Sequence, residues 1–477
     1  MHRVLTSLVL SLITCGVIVT LLPDRAAAEP APVTQQSSSA RQGEYTEEDV
    51  TFSSGEITLN GTVMVPAGEG PFPAVALVHG AGKGLRDRNA GVAEAFARSG
   101  VLTLVYDKRT QGYTAEGIGQ RDYGLLADDA LAAVRMLRER PDVEADQVGL
   151  WGLSEGAWVA PLAASRSEDV AYLVLAGASA VPPAQQESWR HEAQLRELGV
   201  SGSLLRAIPH KLMQLVAAAR MMPEADYDPV PVLEKVRQPV LAVWGAEERT
   251  GPPAESSELL AASLDKAGNR AYTVRFLEGG NHELKDDADP AKGYLPEYLD
   301  LITAWVGEVT SGNPPATSMD PAPAQEFRSW AGVVRPPAIL SGGWLQLGVF
   351  LLMAVAFPLF LFVNMSSLRA APTAMSAPAY TLAVTGWIAA VGMFVYIMGY
   401  LFGGPSSVGP IVAGRPVIWL LVQLLAVVAV IAALVLLVAW VRSRPDLALS
   451  ETVRYVIVLG GAVIFVPWAY YWGLLRP

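Results

Sequence analysis

The chain has 477 residues, a formal net charge of −11, 51% hydrophobic residues and 17% charged residues. A charged share this far below the roughly 25% of ordinary soluble domains excludes a disordered chain and a simple cytosolic protein. Six arginines, no lysine and two acidic residues give residues 341–477 a charge of +4, so the remainder carries −15 and lacks the basic stripe that a nucleic-acid partner requires.

The first 44 residues predict an export signal followed by a spacer. A short basic start, an apolar stretch and the alanines at residues 26–28 are typical of a secretory signal peptide over residues 1–28. An uncleaved anchor helix is the alternative, and either interpretation exports the domain that follows. Residues 29–44 are polar and rich in Pro and Ser, which predicts a flexible linker. Because the single cysteine is Cys15, the rest of the chain offers no disulfide and no cysteine metal cluster.

Residues 45–310 alternate short apolar runs with helical patterns, which predicts an α/β domain with a mostly parallel sheet and helices on both faces. Two antiparallel strands are expected first, at residues 50–52 and 57–65, with an Asn-Gly pair inside the second offering a turn or bulge. Residues 180–237 contain no strand pattern and predict a helical cap. The predicted parallel strands are residues 74–78, 101–106, 148–151, 172–175, 240–244 and 272–276, and the main helices are 92–98, 125–140, 157–164, 254–267 and 295–309.

The C-terminal part is predicted to cross the membrane. After a Pro-rich linker at residues 311–340 come four apolar segments without a charged residue, each close to the roughly 20 residues that span a bilayer as a helix. The loop before the fourth segment carries three arginines, which favours a cytoplasmic loop and a domain of residues 45–310 outside the cell membrane. The four predicted transmembrane helices of residues 341–477 are residues 344–363, 379–402, 417–441 and 455–472.

A candidate nucleophile stands between a predicted strand and a predicted helix. The sequence Gly-Leu-Ser-Glu-Gly at residues 152–156 has the small residues that a sharp strand-to-helix turn needs, which predicts a nucleophile elbow carrying Ser154. Such a turn exposes the hydroxyl and directs the helix N-terminus at the charge that develops there. A plain glycine-rich turn is the alternative.

Serine requires a base to accept its proton. His282 lies in a glycine-rich loop after the last predicted strand, whereas His191 and His210 in the cap are interpreted as solvated surface side chains. Glu248 follows residues 240–244 and can accept the Nδ1 proton of the base. The alternative acids are Glu247, Asp286 and Asp287.

The loop after the third strand reads His-Gly-Ala-Gly at residues 79–82. Its glycines allow the backbone N–H of Ala81, together with that of Glu155, to form an oxyanion hole. The alternative for His79 is a histidine that only caps the strand. The charged residues 107–109 are expected either to fix this loop by ion pairing or to be ordinary surface charges.

The order of these motifs resembles that of the α/β-hydrolase superfamily. The stretches HGAGKGLRDRN and YDKRTQG are similar to the bacterial esterase and dienelactone-hydrolase-like branch, which also resembles the catalytic domains of prolyl-oligopeptidase-type peptidases. The resemblance implies acyl transfer to water through a Ser-His-acid triad without a cofactor or metal. Two positions depart from it: Glu248 stands where Asp is commoner, and Thr110 where Gly is usual.

We therefore predict a membrane-tethered serine hydrolase that cleaves a small-molecule carboxylic ester. A prolyl-oligopeptidase-like peptidase or aminopeptidase is the alternative, although only residues 29–44 precede the predicted hydrolase. A degenerate fold used as a sensing or binding module is the alternative without enzymatic activity. Because the apolar segments lack ionisable residues, we favour an anchor in the lipid bilayer, or a surface for a membrane partner or homo-oligomer, over a transporter.

Overall fold

The computed structural model describes residues 45–114, 120–335, 342–364, 374–443 and 449–477. The predicted signal peptide and the first linker lie outside these residues. All the described residues belong to one compact unit.

In the described residues the sheet has nine strands, and both of its faces are buried. Successive side chains along a central strand point to opposite faces. Along the third strand, Val75 and Leu77 pack on one face while Ala74 and Ala76 pack on the other. This double burial explains the continuous apolar runs of the central strands. The strands are β1 (Tyr45–Ser54), β2 (Ile57–Pro66), β3 (Phe72–Val78), β4 (Leu102–Tyr106), β5 (Val143–Leu153), β6 (Leu173–Ala176), β7 (Val240–Gly245), β8 (Tyr272–Leu277) and β9 (Ser318–Met319).

The strand order is β1-β2-β4-β3-β5-β6-β7-β8-β9. The pairs β1–β2 and β2–β4 are antiparallel, and all the other neighbouring pairs are parallel. Because parallel strands end at the same edge, the loops after β3, β5, β7 and β8 are brought together there. The mostly parallel sheet predicted from the sequence is confirmed.

The hairpin turn between β1 and β2 is not where the sequence predicts it. Ser54 pairs with Ile57, so the turn lies at Gly55, and the prediction of a turn or bulge at Asn60-Gly61 is wrong. Gly61 instead lies inside β2, where a Cβ atom would come within 2.9 Å of the Val105 carbonyl oxygen. The glycine therefore permits a close approach of β2 to β4.

Helices cover both faces of the sheet, as predicted. The first and last helices of the domain bury Phe96 and Ile302 on one face, and three helices between them bury Val134, Val159 and Leu264 on the opposite face. The helices are α1 (Ala90–Arg98), α2 (Tyr123–Arg138), α3 (Gly156–Ala164), α4 (Pro183–Glu197), α5 (Met213–Ala218), α6 (Val230–Leu233), α7 (Pro253–Lys266) and α8 (Pro296–Thr310), with a π-helical turn at Arg206–Leu212 between α4 and α5.

Residues 311–335, which we call the strap, lie along the domain and the cap. Strand β9 belongs to the strap and extends the sheet beside β8. Further along, the Phe327 ring stacks on that of Trp189, with ring centroids 5.6 Å apart, and Trp330 packs against His210. The Pro-rich composition predicts a linker, but these two aromatic side chains provide the apolar surface that holds the strap in place.

Four long helices follow the strap, and all are long and apolar enough to cross a membrane. Gly386 and Gly461 both face Phe357, at distances where a side chain would crowd the ring, so these glycines allow close helix packing. A short hairpin of β10 (Ile411–Val412) and β11 (Arg415–Pro416) joins the second and third helices. The helices are α9 (Gly343–Val363), α10 (Ser376–Gly403), α11 (Val417–Ser443) and α12 (Leu449–Trp472).

The cap packs directly on one end of this helical bundle. Leu204 of the cap is fully buried in the same apolar cluster as Trp419 and Tyr400. The Ser203 hydroxyl accepts a hydrogen bond from the Trp419 indole at 3.3 Å, and His191 Nδ1 lies 3.0 Å from the Tyr400 hydroxyl. The bundle is therefore a structural support for the cap.

Two cap histidines are not the solvated side chains that the sequence predicts. Burial lowers the pKa of His191 to about 4, so it contacts the Tyr400 hydroxyl as a neutral ring. His210 lies 3.1 Å from a Glu192 carboxylate oxygen and packs against Trp330 of the strap. Their charged sequence neighbours suggested solvent exposure, but the strap and the bundle cover this side of the cap.

We expect Leu204→Ala to destabilise the full chain by about 2–5 kcal/mol, because it leaves a cavity between the cap and the bundle. The measurement is thermal unfolding of the detergent-purified protein. Leu198→Ala is the matched control, since Leu198 lies in the same cap but is 43% exposed. Equal small shifts for both variants would contradict a packed interface.

Candidate active site

Ser154 lies on a sharp turn between β5 and α3. Its φ angle is +54°, in the left-handed region that a residue with a side chain rarely adopts. A Cβ on Gly152 would lie 2.3 Å from the Gly156 carbonyl oxygen, and one on Gly156 would lie 2.2 Å from that of Val78. Only glycine fits at both positions, which is the physical reason for the Gly-x-Ser-x-Gly pattern.

His282 and Glu248 form a short hydrogen bond. His282 Nδ1 donates to Glu248 Oε2 at 2.6 Å, a direction that we assign because a carboxylate can only accept. The other Glu248 oxygen accepts the backbone N–H groups of Thr250 at 2.6 Å and Gly251 at 3.2 Å. With Nδ1 protonated, the lone pair of the neutral imidazole lies on Nε2.

Carboxylates around His282 set the direction of its pKa shift. Burial alone would lower the pKa of His282, but the charge and hydrogen bond of Glu248, together with the charges of Glu283 and Glu187, outweigh burial and raise the pKa above its ordinary value of 6.5. His282 Nε2 is buried and has no hydrogen-bond partner among the described residues. A basic nitrogen is therefore held ready to accept a proton.

The loop after β6 makes room for the histidine ring. Gly177 has a φ angle of +56°, and a Cβ there would lie 3.0 Å from both Nδ1 and Cε1 of His282. The sequence predicts no acid in this loop, and the structure shows why glycine is found there. A larger residue would displace the imidazole from Glu248.

Ser154, His282, Ala81 and Glu155 line one cavity of about 210 Å³. Pro183 and other cap residues cover it, and the charged side chains of the lining include Arg88, Arg121, Glu187 and Glu283. The structure thus brings four of the five residues singled out from the sequence to one small space with a mixed polar and apolar lining. The fifth, Glu248, lies directly behind His282.

The loop that carries Ala81 passes close to the serine. A Cβ on Gly80 would lie 3.3 Å from the Leu153 carbonyl oxygen and 3.5 Å from Ser154 Cβ. Glu155 directly precedes α3, so its N–H group lies at the positive end of the helix. These positions are compatible with two backbone donors beside the serine hydroxyl.

His79 holds this loop and takes no part in the cavity. Burial lowers its pKa to about 4, so it is neutral. Its Nε2 donates to the Tyr106 carbonyl oxygen at 2.6 Å, and its Nδ1 accepts from the Asn89 amide at 3.0 Å. Both ring nitrogens are therefore satisfied in joining β3 to β4 and to the segment before α1.

The charged residues after β4 are buried ion pairs and not surface charges. Arg109 makes two hydrogen bonds to Asp129, at 2.7 Å and 2.6 Å. Lys108 lies 2.7 Å from a carboxylate oxygen of Glu155, the residue that follows Ser154. Both residues are therefore ion-paired, but only Lys108 contacts the loop after β3, whereas Arg109 pairs with α2. The sequence did not reveal the partners, which are 20 and 47 residues away.

The alternative acids have partners of their own. Glu247 and Asp287 both pair with Arg249, at 3.4 Å and 3.0 Å. Asp286 lies 3.4 Å from the Lys292 ammonium. Of the candidate acids, the structure brings Glu248 to His282.

Comparison with known proteins gives one family match and several relatives. Residues 131–311, a span that includes Ser154, Glu248 and His282, match the family model described as BAAT / Acyl-CoA thioester hydrolase C terminal. Esterase EstD of Thermotoga maritima is 29% identical over 223 residues, covering 42% of this chain and 52% of that protein. The peroxisomal succinyl-coenzyme A thioesterase of Mus musculus is 23% identical over 253 residues, covering 53% and 58%.

The chain spans about half the length of these curated relatives. Among solved structures, a putative dienelactone hydrolase from Klebsiella pneumoniae is 14% identical with a TM-score of 0.42. That comparison covers 55% of this chain and 99% of the other.

Proposed function

The chain contains a domain of the α/β-hydrolase superfamily, and from this premise we propose that the protein is a membrane-anchored serine hydrolase of carboxylic esters. The observation that carries the proposal is the 2.6 Å contact between His282 and Glu248 in a site whose cavity Ser154 also lines. This arrangement supplies a nucleophile, a base with a defined tautomer and a charge that stabilises the protonated base.

In the proposed first step, His282 Nε2 accepts the Ser154 proton while the serine oxygen attacks the ester carbonyl carbon. The N–H groups of Ala81 and Glu155 stabilise the resulting oxyanion. As the tetrahedral intermediate collapses, His282 returns the proton to the leaving alcohol and an acyl-serine remains. Water then attacks the acyl-serine with His282 again as the base, which releases the carboxylic acid and restores Ser154.

The cavity supports a short acyl group. Its volume is about 210 Å³, and charged groups such as Arg88 and Glu187 contribute to its lining. A long alkyl chain needs more volume and a continuous apolar surface, whereas this cavity is small and its apolar lining is interrupted by charged side chains. We expect turnover of aryl esters by the full-length protein in detergent to fall steeply from acetyl and butyryl to octanoyl esters. Rising turnover along that series would contradict the proposed short acyl group.

A thioester is the second candidate, because the matching family model is described as an acyl-CoA thioester hydrolase. Both substrates pass through the same acyl-serine, so a matched pair of butyryl oxygen ester and butyryl thioester compares the leaving groups alone. Higher kcat/KM for the oxygen ester supports the first candidate and higher kcat/KM for the thioester supports the second. Faster cleavage of aminoacyl arylamides than of either would contradict both.

We place the hydrolase domain on the extracytoplasmic side. The cap-facing end of the bundle includes Arg415 and the C-terminal Pro477, both beside Gly202 of the cap, whereas Arg454 lies near Asn364 at the other end. Loops at the other end carry more arginine, which favours the cytoplasm there. In the sequence, the stretches between the first and second and between the third and fourth predicted apolar segments contain arginines 369, 442, 444 and 454, whereas arginine 415 precedes the third segment and arginine 476 follows the fourth.

Cysteine labelling tests this topology. In a Cys15→Ser background, we expect a membrane-impermeant maleimide to label Asn313→Cys, next to the strap's start, in intact cells. Ser443→Cys, beside Arg442, is expected to react only after permeabilisation. The reverse pattern would place the hydrolase domain in the cytoplasm.

A further inference from the structure

Lys108 is a buried lysine whose three donors all have acceptors. Its side chain is 4% exposed, which is rare for a lysine and requires specific partners. The ammonium donates to the Gly80 carbonyl oxygen at 2.5 Å, to Glu155 Oε1 at 2.7 Å and to the Tyr113 hydroxyl at 3.2 Å. An ammonium has three N–H groups, so this environment satisfies each of them.

These contacts join two loops that come from different strands. Gly80 directly precedes Ala81 in the loop after β3, and Glu155 directly follows Ser154 in the turn after β5. The proposed oxyanion donors are the N–H groups of Ala81 and Glu155. The Lys108 ammonium therefore bridges the two segments whose spacing sets the geometry of the oxyanion hole.

Tyr113 and the Lys108 backbone strengthen the same bridge. The Tyr113 hydroxyl donates to Glu155 at 2.9 Å and accepts the N–H of Gly82 at 3.1 Å. The Lys108 N–H donates to the Gly84 carbonyl oxygen at 2.9 Å. The loop is thus held at three alternate residues, which fixes the orientation of its peptide groups.

The bridge also controls the charge beside the serine. The Glu155 carboxylate is 2% exposed, and a buried negative charge close to Ser154 opposes formation of an oxyanion. Lys108 at 2.7 Å and Arg121 at 3.3 Å pair with its two oxygens. The two basic side chains therefore offset the negative charge of this carboxylate beside the oxyanion.

We propose that Lys108 is a positioning residue for the oxyanion hole, holding the Gly80–Ala81 loop to the Ser154–Glu155 turn and neutralising the Glu155 carboxylate. The inference rests on the proposed function, since it assumes that Ala81 and Glu155 are the donors. Lys108 acts through these two segments and does not touch the substrate.

The test is Lys108→Met in the full-length protein, which keeps the length of the side chain and removes the charge. Because the variant misplaces an oxyanion donor, we expect kcat to fall by about 10²-fold or more and KM to change by less than about 3-fold. Affinity for a trifluoromethyl ketone, which forms a tetrahedral adduct with the serine, is expected to fall in proportion to kcat.

The double variant Lys108→Met/Glu155→Gln separates charge from folding. Because the second change removes the carboxylate that the first leaves unpaired, kcat is expected to recover by about 3-fold or more over Lys108→Met alone. Arg109→Met is the matched control: it breaks a neighbouring buried ion pair with Asp129, and its folded fraction is expected to keep normal kcat.

If Lys108→Met does not fold, Tyr113→Phe decides, because it retains the ring and loses the hydroxyl bridge; we expect kcat to fall about 10-fold. If the wild type is active, unchanged kcat in a folded Lys108→Met overturns the inference about Lys108 and leaves the proposed function standing. Unchanged kcat in Tyr113→Phe has the same meaning where Lys108→Met does not fold. A wild type without turnover and without Ser154-dependent labelling by a fluorophosphonate overturns the proposed function and this inference with it.

Discussion

Replacing Ser154 by alanine is expected to abolish ester hydrolysis, with kcat falling by about 10⁴-fold or more. The alanine removes the only protein atom that forms a bond to the acyl group in the proposed mechanism. The turn that carries Ser154 is held by Gly152 and Gly156, so the smaller side chain leaves the fold intact. The measurement is turnover of a butyryl aryl ester together with covalent labelling by a fluorophosphonate.

Ser165→Ala is the control for this variant. Ser165 caps the C-terminal end of α3, the helix that begins just after Ser154, and its hydroxyl donates to the Leu162 carbonyl oxygen. We expect normal labelling and turnover from it. Labelling that persists in Ser154→Ala would identify a different nucleophile, and no labelling of the wild type would favour a sensing or binding module.

Replacing Glu248 by glutamine is expected to lower kcat by about 10³- to 10⁴-fold. The amide keeps the size of the side chain, but it removes the charge that stabilises protonated His282 and no longer enforces the Nδ1–H tautomer. Glu247→Gln is the matched control, because Glu247 precedes it directly and pairs with Arg249 instead. Equal losses in the two variants would contradict the assignment of Glu248.

The pH dependence gives a second measurement on the same pair. The base acts when neutral, so kcat/KM of the wild type should rise with pH through a His282 pKa above 6.5. In Glu248→Gln the effect of burial dominates, so the pKa of His282 should fall and the rise of kcat/KM should move to lower pH. A raised pKa in the folded state also means that the ion pair stabilises the fold below about pH 6.5 and that this contribution disappears as pH rises through the folded-state value. If the pH profile of kcat/KM is the same in Glu248→Gln and the wild type, Glu248 does not set the pKa of His282.

The parallel strands and the serine turn were predictable because their signals are local. Each central strand is a short apolar run between turn residues, and β3 to β8 all occur where such runs stand. The Gly-x-Ser-x-Gly pattern predicts its own geometry, since Gly152 and Gly156 are required by contacts within a few ångströms of the turn. The strand β9 was missed because two residues in a Pro-rich segment carry no periodicity.

The roles of charged residues were not predictable in the same way. Glu247 and Glu248 are adjacent and chemically identical, and only the fold turns one toward His282 and the other toward Arg249. From the sequence, Lys108 is equally well interpreted as a surface charge, because its partner Glu155 is 47 residues away in the chain. The sequence contains the charges, but their partners depend on the packing of β4 against β3 and of β3 against β5.

The low charge of the second part of the chain determined, from the sequence alone, that four apolar helices accompany an acidic α/β domain. Composition is sufficient for that, because the length and polarity of each segment are local properties. Only the tertiary structure shows that the tail is more than a membrane anchor. Ser203 and His191 of the cap contact Trp419 of α11 and Tyr400 of α10, which are about 200 positions away in the chain. Contacts between side chains so distant in sequence have no local pattern, so the dependence of the cap, and of the cavity it covers, on the helical bundle emerges only from packing.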